Sequence, residues 1–138
     1  MSENSKYAIS DYYAKMSEEI IRVKHPEILA CGISVGFISC NKAKTINKIK
    51  IVLGECRKVQ DLERLFCPFD FLIIIYEPNV EGLTEKQIEI LLHHELSHIG
   101  IDEEGEPFIV PHDVEEFRDI IASYGLDWAN VPRGTIGG

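Results

Sequence analysis

The chain has 138 residues, 45% of them hydrophobic, which suits one domain with a real hydrophobic core. The net charge of −9 at pH 7 disfavours a nucleic-acid partner, because an acidic surface repels phosphate backbones. No apolar run reaches the roughly 18 residues that a membrane-spanning helix needs, and residues 1–6 lack the apolar core of a secretory signal. We therefore expect one cytoplasmic domain over residues 1–138 with no membrane partner, frayed at 1–6 and 133–138.

The four cysteines, at positions 31, 40, 56 and 67, form no CxxC pair. Paired spacings of that kind are the usual sign of a zinc ribbon or a redox motif. The cysteines are therefore interpreted as reduced thiols of a cytosolic protein rather than as disulfides.

The first predicted element is a helix over residues 8–24, where apolar side chains recur at helical spacing. Ser10 or Asp11 stands near its start, and both residue types favour the N-cap position. The dipeptide His25-Pro26 ends this helix, because proline disfavours helical geometry in the residue before it.

Three predicted strands follow, with a weak signal for a short helix over 60–66. Residues 30–39 alternate apolar with small or polar side chains, and residues 46–53 alternate isoleucine and leucine with lysine. Residues 70–76 are almost wholly apolar, which is typical of a strand buried on both faces. We therefore expect 70–76 at the centre of the sheet and the lysine-bearing strand near 48–53 at its edge.

A turn is predicted over 78–82, and a helix over 84–99. The sequence Thr84-Glu-Lys-Gln87 is a capping box, which fixes the start of the helix, and Gly100 is a favoured terminator. Beyond it we expect a solvated acidic loop over 101–111 and a last helix running from Asp113 to Tyr124.

The chemistry is expected on the helix at 84–99, which carries the sequence His94-Glu-Leu-Ser-His98. At about 100° per residue, two histidines four apart lie one turn apart on the same face, so both imidazoles can reach one metal ion. A zinc ion there lowers the pKa of its bound water to about 7, and Glu95 is placed to take that water's proton.

The remaining positions on this helix agree with that arrangement. Its apolar side chains form a core stripe, and the two motif histidines lie at the edge of the stripe, where a cleft wall is expected. His93 points about 100° away from His94 and is interpreted as a solvated surface histidine. The core stripe consists of Ile88, Leu92, Leu96 and Ile99, with Leu91 on its flank.

A catalytic zinc site has three protein ligands and an open position, so a third ligand is needed. A further histidine at position 104, as in metzincins, is excluded because Glu104 stands there. We favour His112, 14 residues after His98 at the predicted start of the last helix; Glu115 or Glu116 would instead give a His-His-Glu site.

Several stretches of the chain resemble the phage metallopeptidase family, small zincin-like proteins of phages and prophages, and more distantly the SprT-like proteases. The resemblance implies a minimal α+β zincin fold, in which a small twisted mixed sheet packs against an N-terminal helix and the HExxH helix, with a C-terminal helix after them. It also implies zinc ligands at His94, His98 and His112, and Glu95 as the catalytic base. The resemblance rests on residues 69–76, 91–99, 111–117 and 124–128.

The leading hypothesis is therefore a zinc metallopeptidase of a phage or prophage, acting in the bacterial cytoplasm on a peptide or protein held at a sheet edge. A second hypothesis keeps the zinc chemistry but hydrolyses a different amide or an ester. A third is a non-catalytic, zinc-stabilised interaction module, for which a closed site with four protein ligands would be expected.

Overall fold

The computed structural model describes residues 6–110, and the protein folds there as a mixed α+β structure around a four-stranded sheet. The helices are α1 (Asp11–Lys24), α2 (Pro26–Ala30), α3 (Glu77–Val80) and α4 (Glu85–Leu96), with a 3₁₀ turn at Glu63–Leu65. The strands are β1 (Tyr7–Ile9), β2 (Val35–Cys40), β3 (Thr45–Ile46), β4 (Lys50–Ile51), β5 (Gly54–Lys58), β6 (Phe71–Tyr76), β7 (Ile99–Ile101) and β8 (Pro107–Ile109).

The main sheet has the strand order β1-β2-β6-β5, so the strand predicted as central is confirmed as an interior strand. β6 runs parallel to β2 and antiparallel to β5, which makes the sheet mixed. Because side chains alternate along β6, Phe71, Ile73 and Ile75 face the helices, while Ile74 and Tyr76 face the opposite side. Both sides are buried, which explains the continuous apolar run.

Helices α1 and α4 pack against each other and against one face of this sheet, as expected for the N-terminal and HExxH helices. Their shared core with the sheet contains the largest fully buried side chains, and its burial drives the docking of α4. The helix-borne members of this core are Tyr13, Ile28, Ile88, Leu91, Leu92 and Leu96.

The capping signals read from the sequence are confirmed. The Ser10 hydroxyl accepts a hydrogen bond from the backbone N–H of Tyr13 at 3.1 Å, so Ser10 is the N-cap of α1. Thr84 and Gln87 form the complete capping box at the start of α4. His25 ends α1, and Pro26 is the first residue of α2.

Several predicted boundaries of helices and strands are wrong, in each case because pairing between strands outweighed the preference of the local sequence. Residues 8 and 9 belong to β1, which pairs with β2, so α1 starts at Asp11. The strand predicted over 46–53 is a hairpin of β3 and β4 that turns at Asn47 and Lys48, both with positive φ.

The edge strands of the main sheet are therefore β1 and β5, and the predicted edge strand near 48–53 is not part of that sheet. The segment predicted as a turn over 78–82 begins with the short helix α3 instead. The acidic loop is largely a second hairpin, in which β7 and β8 pair on either side of a turn at 102–106.

No helix within residues 6–110 is both long enough and apolar enough to cross a bilayer. All four cysteines are free thiols, as the sequence predicts. The predicted helix from Asp113 to Tyr124 lies outside the described residues, as do 1–5 and 133–138 of the ends predicted to be frayed. Residue 6, the last of the N-terminal end predicted to be frayed, is described, and the carbonyl of Lys6 accepts a hydrogen bond from the N–H of Asn41 at 2.9 Å.

Candidate metal centre

The imidazoles of His94 and His98 meet at the carboxyl-terminal end of α4. Their Nε2 atoms are 3.4 Å apart, and the two ring planes are perpendicular with centroids 4.9 Å apart. Two nitrogen ligands at the usual zinc distance, separated by the tetrahedral angle, lie about 3.3 Å from each other. The observed separation therefore fits two imidazoles that share one metal ion.

The backbone of Val110 fixes the tautomer of His98. The Nδ1 atom of His98 is 3.0 Å from the carbonyl oxygen of Val110, and because a carbonyl can only accept, Nδ1 carries the hydrogen and donates it. The N–H of Val110 donates in return to the carbonyl of His98 at 2.7 Å. In the neutral ring the lone pair is then on Nε2, the atom facing His94, as metal-binding histidines require.

His98 does not lie on the helix, contrary to the prediction that the helix continues to residue 99. Helix α4 ends at Leu96, with Ser97 as its C-cap, and the N–H of His98 donates to the carbonyl of Glu95 in a tightened last turn. The pairing of β7 with β8 draws the chain out of the helix at Ile99. The tightened turn still leaves the two imidazoles within contact distance.

Glu95 is buried beside this pair, with only 5% of its surface exposed. Its carboxylate packs against the edge strand, because a Cβ placed on Gly54 would lie 3.6 Å from Oε2 of Glu95. Burial raises the pKa of Glu95 to about 8, and the Glu55 carboxylate adds a smaller contribution in the same direction. A buried carboxylate in an apolar setting is stabilised by a nearby cation or by a proton, which suits a group that handles protons beside a metal.

The thiol of Cys56 lies on the same face of β5 as Gly54 and packs against the core. Burial, followed by the charges of Glu95 and Glu55, raises the pKa of Cys56 to about 12. Cys56 is therefore a neutral thiol beside the site. Gly54, Cys56 and Val110 carry no sequence signal of a role in this site, apart from the weak one of a glycine at the start of a strand.

His93 is not a solvated surface histidine, as was predicted, but is half-buried against His25. The Nδ1 atom of His93 lies 2.8 Å from Nε2 of His25, and His25 itself is only 7% exposed. This contact is a product of the tertiary structure, because the bend between α1 and α2 places His25 against the side of α4. Burial lowers the pKa of both imidazoles.

Within residues 6–110, no three histidine, cysteine, aspartate or glutamate side chains come together as a group that could hold a metal. The predicted third ligand, His112, and its alternatives, Glu115 and Glu116, lie outside the described residues. Within the described part of the chain, the candidate site is therefore the pair of His94 and His98, with Glu95 buried at the next position after His94.

On the opposite face of β5, the Glu55 carboxylate accepts hydrogen bonds from three side chains. Lys44 and Tyr76 donate to Oε1 at 2.5 and 2.6 Å, and Arg57 donates to Oε2 at 2.6 Å. Burial opposes the charged form, but these three hydrogen bonds outweigh it and lower the pKa of Glu55 to about 2. Lys44 directly precedes the β3–β4 hairpin, so these hydrogen bonds link β5 to that hairpin.

The lowered pKa of Glu55 predicts an acid-dependent loss of stability. Because the folded pKa lies below the unfolded value, the contribution is complete above about pH 4.5 and disappears as the pH falls towards about 2. We expect it to be about 1–2 kcal/mol, since Lys44 and Arg57 are partly exposed and solvent screens them. Urea unfolding of the metal-free protein and of Glu55→Gln should give free energies that differ at pH 7 and approach each other as the pH falls from about 4.5 towards about 2. A constant difference would contradict the prediction.

The described residues form a mixed sheet with two helices on one face. A histidine pair and a buried glutamate lie at the end of one of these helices. Together these features define a small α+β domain of the HExxH type. The chain belongs to the family described as Putative phage metallopeptidase, whose model matches residues 5–133. A search of curated proteins and a search of solved structures gave no significant match.

Proposed function

We propose that the protein is a zinc-dependent metallopeptidase in which His94 and His98 hold the metal and Glu95 is the general base. The observation that carries the proposal is the 3.4 Å approach of the two Nε2 atoms, with the lone pair of His98 directed by Val110. Zinc, when bound, would polarise a peptide carbonyl and acidify a water molecule. Glu95 would accept the proton of that water and pass it to the leaving amine.

Chain connectivity supports His112 as the third ligand. Val110 is hydrogen-bonded to His98, and two residues of chain span at most about 7 Å, so an imidazole at position 112 is within reach of the pair. Glu115 and Glu116 are farther along the chain and would need it to turn back towards the pair. A His-His-His site with an open fourth position is the arrangement that catalytic zinc uses.

The edge strand β5 is the proposed platform for the substrate. Its first residue, Gly54, lies against Glu95, so a peptide that pairs with β5 passes next to the general base. Such pairing uses backbone hydrogen bonds and therefore suits peptides of many sequences. The free thiols and the family description support action in the cytoplasm of a bacterium that carries the phage.

The proposal is tested by incubating the zinc-loaded protein with a peptide library derived from a bacterial proteome and identifying new termini by mass spectrometry. We expect cleavage that stops when a chelator removes the metal and returns when zinc is added back. An intact library in the presence of about one bound zinc per chain would instead support the non-catalytic zinc module.

A further inference from the structure

A cavity of about 480 Å³ opens between α1, α3 and the start of α4. It lies at the carboxyl ends of the adjacent parallel strands β2 and β6, because Asn41 follows β2, Glu77 follows β6, and both line the cavity. Crevices at the carboxyl ends of parallel strands are common ligand sites, and this volume is in the range of small-molecule pockets.

The cavity is separate from the candidate metal centre. The last residue of α4 that lines it is Ile88, six positions before His94, which corresponds to about 9 Å along the helix. None of the residues assigned to the metal or to proton transfer contributes to its wall. A ligand held there would therefore be bound by different chemistry from that at the histidine pair.

The wall combines two aromatic rings with two carboxylates. Tyr12 is 57% exposed, and its ring lies 5.4 Å from that of the buried Tyr13. Glu77 and Glu81 are four positions apart along α3 and its C-cap, and both line the cavity. Glu77 and Glu81 are the charged side chains among the described residues that line it, so its wall favours a cation over an anion.

Glu77 is held in position by its neighbours. Its Oε2 atom accepts hydrogen bonds from the hydroxyls of Tyr13, at 2.7 Å, and Ser39, at 2.8 Å. Burial and the Glu77 carboxylate raise the pKa of Tyr13, so its hydroxyl remains a donor at neutral pH. A carboxylate has about four acceptor positions, so Glu77 keeps acceptor capacity on Oε1 for a ligand.

We propose that this cavity binds an organic cation, an alkylammonium or guanidinium group, between the Tyr12 ring and the carboxylates of Glu77 and Glu81. Aromatic faces attract such cations through the ring quadrupole, and carboxylates bind them through charge-assisted hydrogen bonds. The cation comes either from a free amine or from a lysine or arginine side chain of a protein ligand. The site does not depend on the proposed peptidase activity.

The test is an NMR titration of the isotope-labelled, zinc-loaded protein with agmatine, cadaverine and the Nα-acetyl methylamides of lysine and arginine. The neutral Nα-acetyl norleucine methylamide is the matched control ligand. We expect the cations, but not norleucine, to shift the amide signals of Tyr12, Tyr13 and Glu81. Stronger binding of agmatine or cadaverine indicates a free amine as the natural ligand, and stronger binding of the capped amino acids indicates a protein side chain.

Variants distinguish binding of the cation inside the cavity from its general electrostatic attraction to an acidic protein. Glu77→Gln keeps an acceptor for Tyr13 and Ser39 but removes the charge, and Glu81→Gln removes the second charge from an exposed position. Each is expected to weaken cation binding about tenfold, as loss of one charge-assisted contact should. Glu85→Gln, an exposed glutamate nearby that does not line the cavity, is the matched control and should bind as the wild type does.

Three results would overturn the proposal: no shift with any cation at millimolar concentration, equal weakening by Glu85→Gln, or no weakening by the cavity variants. If Glu77→Gln fails to fold, as judged from its amide spectrum, Glu81→Gln and Tyr12→Ala carry the test. Both of these residues are exposed, so neither substitution disturbs the core.

Discussion

Glu95→Gln is expected to lower kcat/KM for peptide hydrolysis by about 10²–10⁴-fold, the usual contribution of a general base, while zinc stays bound. Glutamine has nearly the shape of glutamate, so it fills the same buried space against Gly54, but it cannot accept the proton. The substitution also removes a buried carboxylate whose pKa is raised to about 8, so the variant should be at least as stable as the wild type. The measurements are steady-state kinetics on a cleaved library peptide, metal content and thermal unfolding.

The matched control for this variant is Glu89→Gln, on the same helix and outside the site, which should keep full activity. Retained activity in Glu95→Gln would assign the base to another residue. Loss of zinc together with activity would indicate that the Glu95 carboxylate binds the metal, so the two measurements distinguish its possible roles.

His98→Ala is expected to reduce bound zinc from about one per chain to almost none. Substituting a residue that merely orients a ligand commonly costs 10–100-fold in metal affinity, so removing a ligand should cost more. The change also removes the hydrogen bond from Nδ1 to Val110, which holds the end of β8 against the turn after α4. Metal content by mass spectrometry after equilibration with a zinc buffer checks this prediction.

His93→Ala is the control for the zinc measurement, because it removes an imidazole from the same helix that is hydrogen-bonded to His25. It should keep about one zinc per chain. His112→Ala, measured beside it, tests the third ligand and should lose zinc as His98→Ala does. Full zinc in His112→Ala would favour Glu115 or Glu116, and full zinc in His98→Ala would contradict the proposed metal site.

The interior strand and the start of the HExxH helix were determined by the sequence alone. The strand at 71–76 has apolar side chains on both faces, so it is stable only where other parts of the protein cover both faces. The capping box of Thr84 and Gln87 acts within four residues, so its effect can be read without knowing the fold. The spacing of His94 and His98 likewise indicated that one metal could join them, because the distance is set within one turn.

The tertiary structure decided the features that depend on segments far apart in the chain. His98 leaves the helix because β7 pairs with β8, and Val110 fixes its tautomer only because that hairpin returns the chain to the end of α4. The place of β5 at the sheet edge and the contact of His93 with His25 depend on pairings across tens of residues. Local patterns carry no information about such pairings, because the free energy that selects them comes from burial and hydrogen bonding between remote segments.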